Sequence, residues 1–361
     1  MGLPVLYLNG TPYEQGVQHG QQLQDRIAHN VQVYFERFES EVGLARPEVL
    51  ARAVKYGEAI VSQNPDYFAG MRGVAEGSGL DFDELLALNV RYEILYYQSS
   101  ANAMRDGCTS FAVLPSATPN RHLLIGQNWD WIPKVQGAIL HTAEPDGVET
   151  ISFTEAGIVG GKIGLNSTGL GLAINGLNTT GDDWSRLSKP FHVRCYEILR
   201  ARDIDTAAQI VTGEERACST NYLIAQVPDR VIDIEAAPNQ TRTLSPDNDF
   251  LVHTNHFLDP DALGVVEPPR EEWSSTCERL DRLHDLLGSK RPLTVEDIQG
   301  YLSDHQSYPH AVCCHEDREL PPGDRYRTVT SVVMDLNAQE LCLSDGPPCQ
   351  GIYQRVSLSE R

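Results

Sequence analysis

The chain has 361 residues, 41% hydrophobic and 22% charged, which is ordinary globular usage and excludes a disordered or collagen-like chain. Its 50 acidic residues outnumber 29 basic ones, giving a formal net charge of −21. That charge argues against general binding to nucleic acid or to anionic membranes, both of which need basic surface.

The first hundred residues read as helical. Thr11-Pro12-Tyr13-Glu14 has the pattern of a capping box with proline in the first turn, and Leu23, Ile27, Val31, Tyr34 and Phe38 follow at helical spacing. Helices are predicted over 47–62 and 65–76, and a fourth begins at Asp81 and ends near Tyr97. After Asn102 the texture changes. Residues 108–115 and 123–131 read as two strands joined by the turn residues Ser116 to Asn120, a hairpin. Further strands are predicted over 138–142, 149–154, 161–165 and 170–175, with glycines between them that suit tight turns. Helices return over 190–201 and 206–212, then strands over 221–226 and 231–236, helices over 274–287 and 294–303, and a closing hairpin over 330–335 and 340–344. This order implies one α+β layered domain, residues 1–361, with antiparallel sheets and no linker to a second. The N-terminus shows no basic segment followed by a long apolar run, and no stretch suits a membrane span, so a soluble cytoplasmic protein is expected.

The eight cysteines are sparse and irregularly spaced, unlike a disulfide scaffold, and none forms a Cys-x-x-Cys pair. Cys313-Cys314-His315 is compact, but no second Cys or His pair stands at zinc-finger spacing. Reduced, buried thiols are expected for most of them, with no metal and no cofactor.

One cysteine stands apart. Cys108 follows Gly107 where helices give way to strands. Glycine leaves the preceding carbonyl sterically open, and a thiol beside its own preceding peptide carbonyl can attack it. Hydrolysis of the resulting ester-like bond would leave Cys108 as a new N-terminus. A free α-amine has a pKa of about 7.7–8.0 and serves as a base near neutral pH, so one residue would supply nucleophile and base.

Several segments, in order, resemble the acyl-coenzyme A:6-aminopenicillanic acid acyltransferase family of N-terminal-nucleophile hydrolases. They are Gly10-Thr11-Pro12-Tyr13-Glu14 with Gly16, Gln18, His19 and Gly20, then Asp106-Gly107-Cys108-Thr109 and Gln127-Asn128-Trp129-Asp130. Thr154-Glu155-Ala156-Gly157-Ile158, Gly164-Leu165-Asn166-Ser167 with Gly169, His253-Thr254-Asn255-His256 and Tyr308-Pro309 follow. The resemblance implies a four-layer αββα sandwich of two antiparallel sheets. It implies a precursor that cuts itself between Gly107 and Cys108 into a 1–107 α fragment and a 108–361 β fragment that stay associated. It also implies catalytic roles residue by residue. Cys108 would be the nucleophile, Asn255 the oxyanion donor, Asp130 a processing carboxylate, and Arg325 a charge-balancing arginine, with Arg327 the alternative. Thr109 would line the substrate site. The expected substrate is a small N-acyl amide or acyl thioester, hydrolysed or transferred through a Cys108 acyl-enzyme.

Two rivals remain at this level. An unprocessed thiol hydrolase would pair Cys108 with His253 or His256, although no papain-type context surrounds the cysteine. A non-catalytic member of the fold would keep the architecture alone. His19, His253 and His256 otherwise read as structural, and Asp182-Asp183 and Glu316-Asp317 as solvated loop charges.

Overall fold

The computed structural model describes residues 2–96, 107–267, 274–321 and 325–359. The N-terminal part comprises β1 (Val5–Leu8) and helices α1 (Pro12–Gln22), α2 (Gln24–Val42), α3 (Arg46–Gln63), α4 (Pro65–Ser78), α5 (Phe82–Asn89) and α6 (Arg91–Tyr96). The capping box forms as its sequence implies: the Thr11 hydroxyl accepts from the Glu14 N–H, and the Glu14 carboxylate accepts from the Thr11 N–H at 2.8 Å. The backbones of α1 and α4 touch. A Cβ on Gly16 would lie 2.2 Å from the Gly70 carbonyl oxygen, and one on Gly73 would lie 2.1 Å from that of Tyr13. The glycines there are a packing requirement, because any side chain would force the helices apart.

The rest of the chain supplies strands β2 (Thr109–Val113), β3 (Leu124–Trp131), β4 (Gly137–Ala143), β5 (Glu149–Glu155), β6 (Ile163–Asn166) and β7 (Leu170–Gly176). After α7 (Phe191–Arg200) and α8 (Ile204–Thr212) come β8 (Thr220–Gln226), β9 (Arg230–Ala236), β10 (Thr241–Leu244) and β11 (Phe250–His253). The short α9 (Pro260–Leu263), α10 (Ser274–Gly288), α11 (Val295–Leu302), β12 (Arg327–Asp335), β13 (Glu340–Leu343) and β14 (Gln354–Ser357) complete it. One sheet has the order β1-β4-β5-β6-β7-β8-β9-β10, the other β11-β2-β3-β12-β13-β14. Pairing is antiparallel throughout except where β1 joins β4 in parallel at an edge.

The two sheets face each other. A Cβ on Gly171 of β7 would lie 2.8 Å from the Ile125 side chain of β3, and the Ile174 N–H of β7 donates to the Gln127 side chain of β3 at 2.6 Å. Helices α7 and α8 cover the outer face of the first sheet together with the N-terminal helices. Leu283 and Leu287 of α10 and Ile298 and Leu302 of α11 pack on Phe111, Val113 and Leu124 of the second. The result is the four-layer αββα sandwich that the resemblance implied. Among the described residues no helix is long and apolar enough to cross a membrane.

Local differences from the predicted elements have local causes. The helix read from Thr11 through Phe38 divides at Leu23, and the fourth helix divides at Val90, whose N–H still donates to the Leu86 carbonyl. Strands β1, β10, β11 and β14 were not foreseen. Each has four residues and lies at a sheet edge, too short to carry a period and supported by one neighbour only.

Candidate active site

Cys108 lies just before β2, fully buried, on the face that looks into the sandwich. The β2–β3 register pairs Thr109 with Asn128, so one step further Cys108 falls opposite Trp129 and Gly107 opposite Asp130. The Cys108 thiol lies 3.8 Å from the Asp130 carbonyl oxygen. A Cβ on residue 107 would lie 2.7 Å from Asp130 Oδ2, so the carboxylate rests directly against the Gly107 backbone and would have to shift to admit a side chain there. Asp130 is anchored from the other side by the Thr328 hydroxyl of β12, which donates to Oδ1 at 2.6 Å. Thr328 Oγ1 in turn accepts the Cys314 N–H at 3.0 Å.

A buried guanidinium gathers the remaining groups. Arg279 of α10 donates from Nη1 to the Cys108 carbonyl oxygen at 2.7 Å and to the Thr109 hydroxyl at 2.9 Å, and from Nη2 to Asn255 Oδ1 at 3.1 Å. Arginine has no acceptor, so this bond fixes which end of the Asn255 amide is oxygen. The amide nitrogen then faces the other way and donates one hydrogen to the Gly176 carbonyl at 3.0 Å. The Asn255 N–H is tied to the Thr276 hydroxyl of α10 at 2.9 Å. The side-chain amide is held at both ends and the backbone N–H beside it is anchored too, a preorganised donor of the kind that stabilises developing negative charge on oxygen.

Behind the thiol lies a buried ion cluster. Glu155 of β5 accepts from Lys162 at 2.5 Å, from Arg91 of α6 and from the Tyr34 hydroxyl of α2. Burial alone would raise the Glu155 carboxyl, but the charges of Arg91 and Lys162 outweigh it and hold the group at about 2. Burial drives Lys162 down to about 8 against the pull of Glu155. Its ammonium sits 3.3 Å over the Trp129 ring. Trp129, Lys162, Ile174, Gly176, Phe191 and Thr220 line a small recess between the sheets on this side.

A sequence profile of the acyl-coenzyme A:6-aminopenicillanic acid acyl-transferase family matches residues 116–342, more than half of the chain. The chain belongs to this family. It is 28% identical over 347 residues to the 40 kDa form of acyl-coenzyme A:6-aminopenicillanic-acid-acyltransferase from Emericella nidulans, covering 94% of this chain and 91% of that one. It is 23% identical over 395 residues to the beta-alanyl-dopamine/carcinine hydrolase of Drosophila melanogaster, covering 96% and 93% respectively. Penicillin V acylase from Agrobacterium tumefaciens aligns structurally with a TM-score of 0.48 at 10% identity, over 70% of this chain and 87% of that one.

Of the residues expected from the family pattern, Gly107, Cys108, Thr109, Asp130 and Asn255 come together around Asp130 and Arg279. Arg325 does not join them. Its guanidinium donates to the carbonyls of Leu320 and Arg318 at 2.9 and 3.1 Å, closing the loop ahead of β12. Arg327 reaches the Pro133 carbonyl at 3.4 Å. Arg279 is the arginine that bonds Cys108, and it was not predicted from the sequence. It falls on the buried stripe of α10 with Thr276, Leu283 and Leu287, and a cation on an apolar stripe is the signal that marks it.

His19 and His253 are each held in buried hydrogen bonds. His19 Nε2 accepts the Gly157 N–H at 3.1 Å, and burial lowers its pKa to about 4. Both ring nitrogens of His253 face acceptors, the Glu235 carboxylate at 3.0 Å and the Thr254 carbonyl at 2.8 Å. Burial disfavours its charged form, but Asp233 and Glu235 outweigh that and raise its pKa. A ring donating from both nitrogens has no lone pair with which to take a proton from Cys108. Asp182 is not a solvated loop charge. It is buried, accepts from the Thr179 and Ser219 hydroxyls at 2.8 and 2.6 Å, and is pushed by burial up to about 7. Among the described residues, His305, Cys313, His315 and Cys349 bring four metal-binding donor atoms within 4.8 Å of one another.

Proposed function

We propose that this protein is a self-processing N-terminal-cysteine amidohydrolase with acyl-transfer capacity, acting on small N-acyl amides or acyl thioesters. The observation that carries the reading is the Gly107–Cys108 junction pressed against Asp130, with Arg279 tying the Cys108 residue to Asn255. Family membership supports the reaction class, and the names of the relatives span acyl transfer and amide hydrolysis.

The chemistry runs in two stages. In the first, the Cys108 thiol attacks the Gly107 carbonyl carbon, the Gly107–Cys108 C–N bond breaks, and the proton passes to the new amine. Water then hydrolyses the thioester, leaving a Gly107 carboxylate and Cys108 with a free amine and thiol. Asp130, whose carboxylate lies against Gly107, would steer protons during this step. In the second stage the Cys108 amine takes the thiol proton and the thiolate attacks the substrate carbonyl. The second Asn255 amide hydrogen and backbone N–H groups hold the oxyanion. The protonated amine gives its proton to the leaving group, and water or an acceptor amine resolves the acyl-enzyme.

Denaturing electrophoresis with intact mass and N-terminal sequencing tests the reading. Active protein is expected as two fragments, 1–107 and 108–361, the second starting at Cys108. Cys108→Ala should give neither cleavage nor turnover. Full activity from an uncut chain would overturn the mechanism. An unprocessed Cys–His hydrolase would instead lose activity on mutation of His253 or His256 while staying intact.

A further inference from the structure

We propose that His305, Cys313, His315 and Cys349 form a four-coordinate zinc site, separate from the nucleophile. His315 Nε2 has three neighbours: His305 Nε2 at 3.1 Å, Cys349 Sγ at 3.4 Å and Cys313 Sγ at 3.5 Å. A ring nitrogen has either one hydrogen or one lone pair, so hydrogen bonding satisfies one neighbour. Convergence of three donors on the same nitrogen is what a shared central atom produces.

Three of the six donor spacings agree with that atom, and the widest separation in the set, 4.8 Å, would have to close by about 1 Å on binding. Zinc binds thiolate at about 2.3 Å and imidazole at about 2.0–2.1 Å in a tetrahedron, which places nitrogen donors about 3.3 Å apart and nitrogen and sulfur about 3.6 Å apart. The three observed edges fall within a few tenths of an ångström of these. Two imidazoles and two thiols are a borderline-soft donor set that favours zinc over magnesium or calcium. Two thiolates neutralise the ion, and binding releases the two thiol protons. Four protein ligands leave no open position, so the site is structural.

Its place in the fold gives it work. Three ligands come from the segment between α11 and β12, and Cys349 comes from the loop between β13 and β14. The first segment is bonded to the centre of the second sheet: Asn128 of β3 donates to the Val312 carbonyl at 2.7 Å, and the Cys314 N–H donates to Thr328. The ion would therefore staple the edge hairpin to the segment that backs Asp130. Sequence spacing hides the set because its fourth ligand lies 34 residues beyond His315.

The test uses the full chain, reduced, stripped with chelator and titrated with Co²⁺. One equivalent should give tetrahedral d–d bands and a thiolate charge-transfer band, displaced by one equivalent of Zn²⁺. Cys313→Ser and Cys349→Ser should each weaken the thiolate band and lower affinity by more than the ~10–100-fold that loss of an outer-shell partner costs. Cys342→Ser, a thiol outside the set, should change nothing. His305→Ala, which removes an exposed ligand, should keep the thiolate band at reduced affinity, and it serves if the cysteine variants misfold. Absence of the band in the wild-type chain, a titration unaltered in the Cys313→Ser/Cys349→Ser double variant, or a Cys313–Cys349 disulfide in the isolated protein would overturn the proposal.

Discussion

Arg279→Ala is the most informative single change to the site. The guanidinium is buried and donates to three acceptors: the Cys108 carbonyl, the Thr109 hydroxyl and the Asn255 side-chain oxygen. The Thr109 and Asn255 side chains can turn toward other partners, but the Cys108 carbonyl is fixed by the backbone. One stranded buried acceptor costs about 1–3 kcal/mol, and the emptied volume adds to that, so a stability loss of ~2–4 kcal/mol is expected. The catalytic effect has a separate origin. Without Arg279 the Asn255 amide keeps a single side-chain anchor, the Gly176 carbonyl, and an amide free to pivot no longer holds its second hydrogen toward the oxyanion. Loss of one oxyanion donor costs roughly 10²–10³ in kcat, so kcat should fall by that factor with a much smaller change in KM. Arg279→Lys keeps the charge but loses the planar fork, reaches fewer acceptors and should fall between. Steady-state kinetics on the processed fraction with a chromogenic N-acyl amide reads the second effect, and denaturant titration reads the first. Wild-type kcat in Arg279→Ala, at whatever stability, would refute the positioning argument.

Gly107→Ala should slow cleavage sharply while the chain still folds, because its Cβ would stand 2.7 Å from Asp130 Oδ2; a time course on denaturing gels checks it, and cleavage at the wild-type rate would show that the contact is irrelevant. Glu93, raised by burial to about 7, favours the fold fully below about 4.5. It loses up to ~3 kcal/mol of that support as pH rises to about 7, because the unfolded carboxyl ionises first. Glu93→Gln keeps an acceptor for the Phe191 N–H and should make the Tm–pH profile shallower over that window, with buried Asp182 and Asp233 still contributing slope. Glu155→Gln strands Arg91 and Lys162 without a carboxylate and should cost ~3–5 kcal/mol in denaturant midpoint; an unchanged midpoint would show that the cluster contributes nothing.

Much of the architecture was legible because its elements are long or strongly marked. The α1 cap, the helices over 47–62 and 65–76 and the hairpin around Ser116 carry their own start and stop chemistry. The four-residue edge strands carry none and exist because a neighbouring strand is already in place. At the site, Gly107, Cys108, Asp130 and Asn255 were readable from ordered motifs. Arg279 was not, because no motif surrounds it and its role depends on α10 lying across the head of β2. Arg325 lies near the end of the family-like region and was chosen by alignment, yet its loop folds on itself and spends the guanidinium on local carbonyls. The four-residue His/Cys set was invisible for the same topological reason as Arg279: β12 and β13 intervene before Cys349.

The same structure bears on what a cut at residue 107 would leave behind. The preceding segment is not a detachable cover. Its β1 is a strand of the first sheet through β4, and Asn30 of α2 donates to the Gln136 and Ala156 carbonyls at 2.8 and 3.0 Å. The Trp131 indole N–H, next to Asp130 on β3, donates to the Tyr34 hydroxyl of α2 at 2.6 Å. Tyr34 and Arg91 both end on Glu155, whose other partner Lys162 lies over Trp129. Breaking one peptide bond removes none of these contacts, whereas separating the pieces would part Arg91 and Tyr34 from Glu155 and leave that carboxylate with Lys162 alone. Retention of the 1–107 fragment should therefore follow the charge state of Glu155. It is complete above about pH 4.5, where the ordinary carboxyl is ionised, and weakens as pH falls toward the folded value of about 2. Size-exclusion chromatography of processed protein across that range would resolve it, and fragments that part at neutral pH would show that the cluster does not hold them.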